Sequence, residues 1–279
     1  MKNLSGKNVA LTGAGSGIGQ ALALQLAREG CNLSLNDIDP SRLTEIKERC
    51  LKINPKMEVY TEGFDVSDEA AMHTWSKNSI TALGHIDVMI NNAGVALNGV
   101  NAESIAKSDF DWIMGINFWG MIYGSQAFVP HLKSRPESAL INVSSILGIV
   151  GLARQAAYCT TKFAIRGYTE SLRMEVLEDA PQLIVHTVHP GGVSTNIAND
   201  AKAATNEIEQ MDLERANEHL VMPPPKAAQI IIDHIKKKKH RIIVGNDAKR
   251  IQWLQRIWPE RYTKMLFNQF QSVINNEPT

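Results

Sequence analysis

Asn8-Val9-Ala10-Leu11-Thr12-Gly13-Ala14-Gly15-Ser16-Gly17-Ile18-Gly19 runs from an apolar stretch into a glycine-rich one, and its reading decides the fold. Asn8 to Leu11 read as a buried strand. Beyond the turn, Gln20 to Arg28 carry an amphipathic helical pattern that stops at Gly30. Glycines permit positive φ and let backbone N–H groups approach a phosphate at a helix N-terminus, where the dipole favours an anion. The literal G-x-G-x-x-G fingerprint fails in every frame. Gly13, Gly17 and Gly19 form G-x-x-x-G-x-G instead, in the same strand-turn-helix context.

Outward from this turn, strand and helix keep alternating. Asn32 to Asn36 form a second strand followed by Asp37, whose carboxylate could accept both hydroxyls of an adenosine ribose and would repel a 2′-phosphate. Ser16 and Ile38 occupy two places where a phosphate-binding cation could stand, so NAD is expected over NADP. The plainer reading of Asp37 is a helix cap near Pro40-Ser41, which Asp39 could supply equally well. A helix over Ser41 to Ile53, a strand near Met57 to Thr61 and the stretch Phe64 to Asp68 follow. Asp65 closes that strand within reach of an adenine amino group, while Ser67 or Asp68 caps the helix Glu69 to Leu83.

Ile86 to Ile90 form the next strand, ending in Asn91-Asn92-Ala93-Gly94, which suits either satisfaction of backbone groups between strands or contact with a ligand. Ser104 to Leu132 carry one long helical pattern with Asn117 on its apolar face, either as a satisfied core amide or as a kink that holds a water. Ala139 to Val143 are a strand ending in Ser144-Ser145, and Ile146 to Arg154 an apolar loop. The helix after it, reaching about Leu177, places Tyr158 and Lys162 on one face, where a cation can favour an ionised phenol.

Leu183 to Val188 lead into His189-Pro190-Gly191-Gly192-Val193-Ser194-Thr195, where Pro190 and the glycines expose backbone and Thr195 offers a hydroxyl to a carboxamide. Residues 194–222 read as a substrate flap. A helix from about Lys226 ends in Lys236 to Lys239, a run that suits a solvated helix C-terminus, and Arg241 to Val244 form a last strand. The 247–279 extension is helical in pattern, divided at Pro259, and holds Trp253, Trp258, Tyr262, Phe267 and Phe270 among basic residues. Such a segment could rest on a membrane, line a hydrophobic pocket or pack against protein, with packing as the expectation.

Composition sets the outer limits. A chain of 279 residues that is 44% hydrophobic can bury a large core, and zero formal net charge gives no global drive toward nucleic acid or an anionic membrane. Cys31, Cys50 and Cys159 include no C-x-x-C pair, so neither structural zinc nor any other metal is expected, and a reducing compartment is. No apolar run reaches membrane-spanning length and the apolar strand follows Lys7 at once, which predicts a cytoplasmic protein without a signal peptide. The architecture expected is α/β: a three-layer, doubly wound, Rossmann-like parallel sheet forming a single domain with a C-terminal helical extension.

Thr12-Gly13-x-x-x-Gly17-Ile18-Gly19, Asn91-Asn92-Ala93-Gly94, Asn117, Ser145, Tyr158-x-x-x-Lys162 and Pro190-Gly191 stand in order and spacing so that the chain resembles the short-chain dehydrogenase/reductase family over about residues 5 to 245. Of the two serines Ser145 matches, lying thirteen positions before Tyr158. The resemblance implies NAD-dependent alcohol oxidation or carbonyl reduction by a tetrad of Asn117, Ser145, Tyr158 and Lys162. Tyr158 exchanges the proton, Ser145 holds the substrate oxygen, Lys162 grips the nicotinamide ribose, and Asn117 positions a water that relays the proton. It further implies cofactor contacts from Gly13, Ser16, Gly17, Ile18, Gly19, Asp37, Asp65, Val66, Asn92, Ala93, Gly94, Tyr158, Lys162, Pro190, Gly191, Val193 and Thr195, and a homodimer or homotetramer. The stretch from Val244 to Ala248, with His189 to Gly192 and Thr195 to Ala198, looks like a bacterial subgroup that oxidises lipophilic alcohols. The competing classes are a catalytically silent NAD-binding sensor or scaffold, an NADP-preferring carbonyl reductase, and a protein anchored to a membrane surface by its tail.

Overall fold

β1 (Asn8–Thr12) is buried at every position, as its apolar run requires. It lies at the centre of a computed structural model that describes residues 1–97, 99–195 and 222–275, the side chains of 269–275 excepted. β2 (Asn32–Asp37), β3 (Val59–Gly63), β4 (Val88–Asn91), β5 (Ser138–Val143), β6 (Leu183–Pro190) and β7 (Arg241–Val244) complete a seven-stranded sheet in the order β3-β2-β1-β4-β5-β6-β7, every pair parallel. The order reverses between β1 and β4, where Leu11 pairs with Leu35 on one side and Ile90 on the other. A crevice opens at the C-terminal ends of strands at such a switch point.

Side chains alternate across a strand, so the sheet builds a core on each face. Val9 and Leu11 face the helices α1 (Gly17–Arg28), α2 (Pro40–Ile53) and α7 (Pro224–Lys236), packing with Leu22, Leu26, Ile46, Ile231 and Ile235. Ala10, Met89, Leu140 and Val185 face the other way. There α3 (Glu69–Leu83), α5 (Gly120–Lys133) and α6 (Ala156–Asp179) contribute Trp75, Phe128, Leu172 and Val176. Three layers and one continuous sheet follow, as expected from the alternation.

Four elements depart from the sequence reading. β3 runs two residues later, at Val59–Gly63, and Phe64 to Asp68 form a turn: Asp65 Oδ1 accepts from the Ser67 N–H at 2.9 Å and the Ser67 hydroxyl at 2.8 Å. Asp65 therefore opens a turn and closes no strand, while Asp68 caps α3 by accepting from the Ala71 N–H. The single long helix is three pieces, α4 (Lys107–Met114), a π-helical turn Gly115–Trp119 and α5. Helical spacing in the sequence does not register the one residue that a π turn loops out. α7 starts at Pro224, where the ring's fixed φ suits a first turn. The lysine run is partly paired, Lys236 with Glu29 at 2.6 Å and Lys238 with Glu137 at 3.3 Å.

The extension divides at Pro259 into α8 (Asn246–Ile257) and α9 (Tyr262–Asn275). Its inner face, Ala248, Ile251, Tyr262 and Leu266, packs on Ile146, Ile149 and Val150, and its outer face exposes Trp253 and Phe267. The flap predicted over 194–222 lies, from 196 to 221, outside the described residues.

Candidate active site

The glycine turn joins β1 to α1 with Gly13 at φ +64° and Gly17 at φ +52°, a region that disfavours side chains. A Cβ on Gly13 would come within 2.8 Å of the Ala93 Cα, so the turn lies directly against the end of β4. Asn92 secures that contact: its side-chain amide donates to the carbonyls of Thr12 (3.0 Å) and Gly13 (3.1 Å), and the Thr12 hydroxyl accepts from the N–H groups of Asn92 and Ala93. Asn91 turns inward instead, donating to the Asn142 side chain at 2.8 Å. Of the two readings of these amides, the satisfaction of groups between strands is the one the geometry displays.

Ser16 is the N-cap of α1, yet its hydroxyl makes no capping hydrogen bond and the first turn carries no acid. The first N–H groups of a helix lack intrahelical partners, so this end presents donors and positive potential with no capping side chain among the described residues. Asp37 does not cap α2. Asp39 does, accepting from the Ser41 and Arg42 N–H groups, while Asp37 is buried and accepts from Gly15 N–H at 2.8 Å and Asp39 N–H at 3.1 Å. A carboxylate offers about four lone-pair positions, so two remain for ribose hydroxyls. The residues present thus fit a dinucleotide: an uncapped helix end for its phosphates and an acceptor beyond it for a ribose.

Across the switch point, Asn117 clamps the chain after β4. Its Oδ1 accepts from the Val95 N–H at 2.7 Å, and its Nδ2 donates to the Val95 carbonyl at 2.9 Å and the Thr161 hydroxyl at 3.1 Å. The helix opens into a π turn at the buried amide, and the three bonds tie that turn, the segment after β4 and α6 together. A Cβ on Gly94 would lie 3.2 Å from Asn117 Oδ1 and 3.3 Å from Lys162 Nζ, so the three residues meet at one point. Lys162 Nζ donates to the Val143 carbonyl at 3.2 Å and lies 5.4 Å from the centre of the Tyr158 ring. Ser145 stands near enough to the Tyr158 phenol to lower it, and its Oγ accepts from Leu147 N–H at 3.1 Å.

The surroundings of this group are apolar: Leu97, Ile113, Trp112 and Ala157 pack with Tyr158. Burial pushes the Tyr158 phenol up to about 12, against a lowering by Ser145, and drops the Lys162 ammonium to about 8. In the free chain Lys162 has therefore lost its proton before the phenol ionises, and no attraction between them remains to be felt. Below about pH 8 the lysine is charged and the phenol beside it is neutral.

Pro190, Gly191, Val193 and Thr195 line the end of β6, and Thr195 comes back to the glycine turn, its Cβ 3.2 Å from where Gly17 would carry one. Val66, buried, spends its side chain against Gly120 of α5, and Ile18 packs on the core, so both serve the site by placing backbone. Two contributors escaped sequence reading. His189 holds the Ser145 carbonyl through Nδ1 at 2.8 Å, and burial keeps its imidazole neutral by lowering it to about 4. A histidine beside Pro-Gly was a visible signal for it. Arg42, whose Cβ lies 2.6 Å from a Cβ position on Gly15, sets its stem against the turn while its guanidinium pairs with Asp39 at 3.4 Å.

Comparison with known proteins places this geometry among relatives. A family model described as short chain dehydrogenase matches residues 7–206. A putative oxidoreductase, SadH, of Mycobacterium tuberculosis is 34% identical over 267 residues, 95% of this chain and 96% of that protein. Levodione reductase of Leifsonia aquatica is 30% identical, covering 83% of this chain and 81% of that protein. Among solved structures, a short chain dehydrogenase/reductase from Burkholderia phymatum in complex with NAD superposes with a TM-score of 0.85 at 23% identity, over 93% of this chain and 96% of that one.

Proposed function

Since the chain belongs to the short-chain dehydrogenase/reductase family and is an oxidoreductase, we propose that it transfers a hydride between NAD(H) and a lipophilic aliphatic or secondary alcohol, or the corresponding ketone. The meeting of Ser145, Tyr158, Lys162 and Asn117 at the ends of β4 and β5 carries this reading, since a protein that only bound a nucleotide would have no use for the phenol. Bound nicotinamide supplies the hydride acceptor and donor. Tyr158 takes the alcohol proton in oxidation and returns it in reduction. Ser145 donates to the substrate oxygen and stabilises its developing charge. Lys162, charged at neutral pH, favours the phenolate and holds the nicotinamide ribose. The remaining lone pair of Asn117 Oδ1 receives a water that passes protons from Lys162 to solvent.

For the cofactor, Gly13, Ser16, Gly17, Ile18 and Gly19 receive the phosphates and Asp37 the adenosine ribose. Asp65 and Val66 border the adenine, Asn92, Ala93 and Gly94 the middle of the crevice, and Pro190, Gly191, Val193 and Thr195 the carboxamide. Preference for NAD follows from Asp37, which repels a 2′-phosphate. The apolar residues beside Tyr158 and the loop Ile146 to Val150 support a lipophilic substrate, and the name of the levodione reductase relative supports carbonyl reduction. Free, buried Cys31, Cys50 and Cys159 support a cytoplasmic location. Exposed Trp119 and Phe163, beside the tetrad helices, support a homodimer or homotetramer.

A spectrophotometric screen with NAD and NADP against alcohols of increasing chain length tests the reading. Turnover should rise with chain length, favour NAD, and fall by at least about a hundredfold in Tyr158→Phe. Tight NADH binding with no Tyr158-dependent turnover on any alcohol or ketone would move the protein to the sensor or scaffold class.

A further inference from the structure

The C-terminal extension reaches the site at its first turn. β7 ends at Val244, Gly245 adopts φ +109°, and Asp247, in the first turn of α8, directs its carboxylate back onto the loop after β6. Its Oδ2 accepts from the Gly192 N–H at 2.7 Å. The fit is close on both sides: a Cβ on Gly191 would lie 2.7 Å from the Asp247 Cγ, and one on Gly245 would collide with Oδ1. The same loop is held by Gly191 N–H donating to the Val244 carbonyl at 2.8 Å, and by exchanges with Met222 on either side of Val193. On its inner face the extension packs on Ile146, Ile149 and Val150, just after Ser145. One helix pair thus contacts both loops that border the site, one through a charged hydrogen bond and the other through apolar packing.

We propose that Asp247 is a positioning residue for the cofactor: it fixes the Gly191–Thr195 loop in the shape that receives the nicotinamide end, and it couples the C-terminal extension to cofactor occupancy. The proposal rests on the assignment of Pro190, Gly191, Val193 and Thr195 to the carboxamide. A loop already anchored loses less conformational freedom when a ligand arrives, so the anchor strengthens binding without touching the ligand. Coupling of this kind is reciprocal, and the cofactor must in turn stabilise the first turn of α8. An aspartate in a helix's first turn also complements the dipole. That role alone predicts lower stability in Asp247 variants with unchanged cofactor affinity, which separates the two accounts.

The test compares the full-length protein with Asp247→Ala and Asp247→Asn. NADH affinity is measured by fluorescence titration, NAD steady-state kinetics by absorbance, and hydrogen exchange on peptides spanning 190–195 and 246–257. Loss of one charge-assisted hydrogen bond at an exposed site should raise the NADH Kd and the NAD KM of Asp247→Ala by about three- to tenfold, with kcat held within about twofold. Loop 190–195 should exchange faster in the cofactor-free variant. Asp247→Asn, which keeps an oxygen acceptor, should recover most of both effects, and NADH should slow exchange over 246–257 in the wild type and not in Asp247→Ala. Unchanged Kd and KM in Asp247→Ala, or unaltered loop exchange, would overturn the proposal. Failure of the wild type to bind NADH would instead bring down the cofactor reading, and the coupling with it. The exchange of the cofactor-free loop would still report whether Asp247 holds it.

Discussion

Replacing Lys162 by Met removes the cation that lies over the Tyr158 ring, and the structure sets the size of the effect. With the ammonium 5.4 Å from the ring centre and an effective dielectric of about 20, the attraction for a phenolate is ~3 kcal/mol, or about two pH units. Burial has placed the phenol at about 12 in the free chain, where Lys162 is neutral before the phenol ionises, so the charge of oxidised nicotinamide must first bring the phenol below about 8 before Lys162 adds its share. The contribution exists only where Lys162 is protonated, below its own value of about 8. The assay is the pH dependence of kcat for alcohol oxidation at saturating NAD, followed from about pH 6 to about pH 10, where the rising limb reports groups of the ternary complex. Lys162→Met should move that limb upward by about two units, lowering kcat near neutral pH about a hundredfold and restoring it in base. Structural damage would lower the plateau and leave the limb in place. If an active Lys162→Met enzyme shows its limb within about half a unit of wild type, the electrostatic role is wrong. Lys162 would then serve only to satisfy the Val143 carbonyl and to hold the cofactor.

Asp37→Ser should shift preference toward NADP by at least about tenfold in the ratio of kcat/KM values. It removes the carboxylate that repels a 2′-phosphate while Arg42 stays beside Gly15, and a matched NAD and NADP kinetic series measures it. Acid should destabilise the fold through His186 and His189, both buried and each lowered from 6.5 to about 4. Their neutral forms are favoured on folding, so the stability present above pH 6.5 is lost as the unfolded chain takes up protons below it. Between pH 7 and pH 5 the two together should cost about 4 kcal/mol, an order-of-magnitude figure. Urea midpoints at the two pH values check the sign, and His189→Phe should flatten the dependence.

Local chemistry made much of this protein legible before folding. The strand, glycine turn and helix of residues 8–28 announce themselves because positive φ, apolar periodicity and a helix start are properties of neighbouring residues. The parallel sheet follows from their repetition. Tyr158 and Lys162 are likewise one helical turn apart in any helix. The register of β3 and the division of the helix around Asn117 were not legible. The first depends on pairing with Leu33 and Leu35, and the second on Val95 and Thr161, each distant in sequence.

The sequence by itself therefore determined the class of fold and pointed to the four residues proposed as the tetrad. Tertiary structure alone decided the electrostatics of that tetrad and its enclosure. The Tyr158 phenol is raised and the Lys162 ammonium lowered because Leu97, Ile113 and the surrounding layers exclude water from them, and no spacing along the chain encodes exclusion. The partnership of Asp247 with Gly192, and of His189 with the Ser145 carbonyl, has the same origin. Residues 55 and 44 positions apart touch only because parallel strands deliver their C-terminal ends to one edge of the sheet.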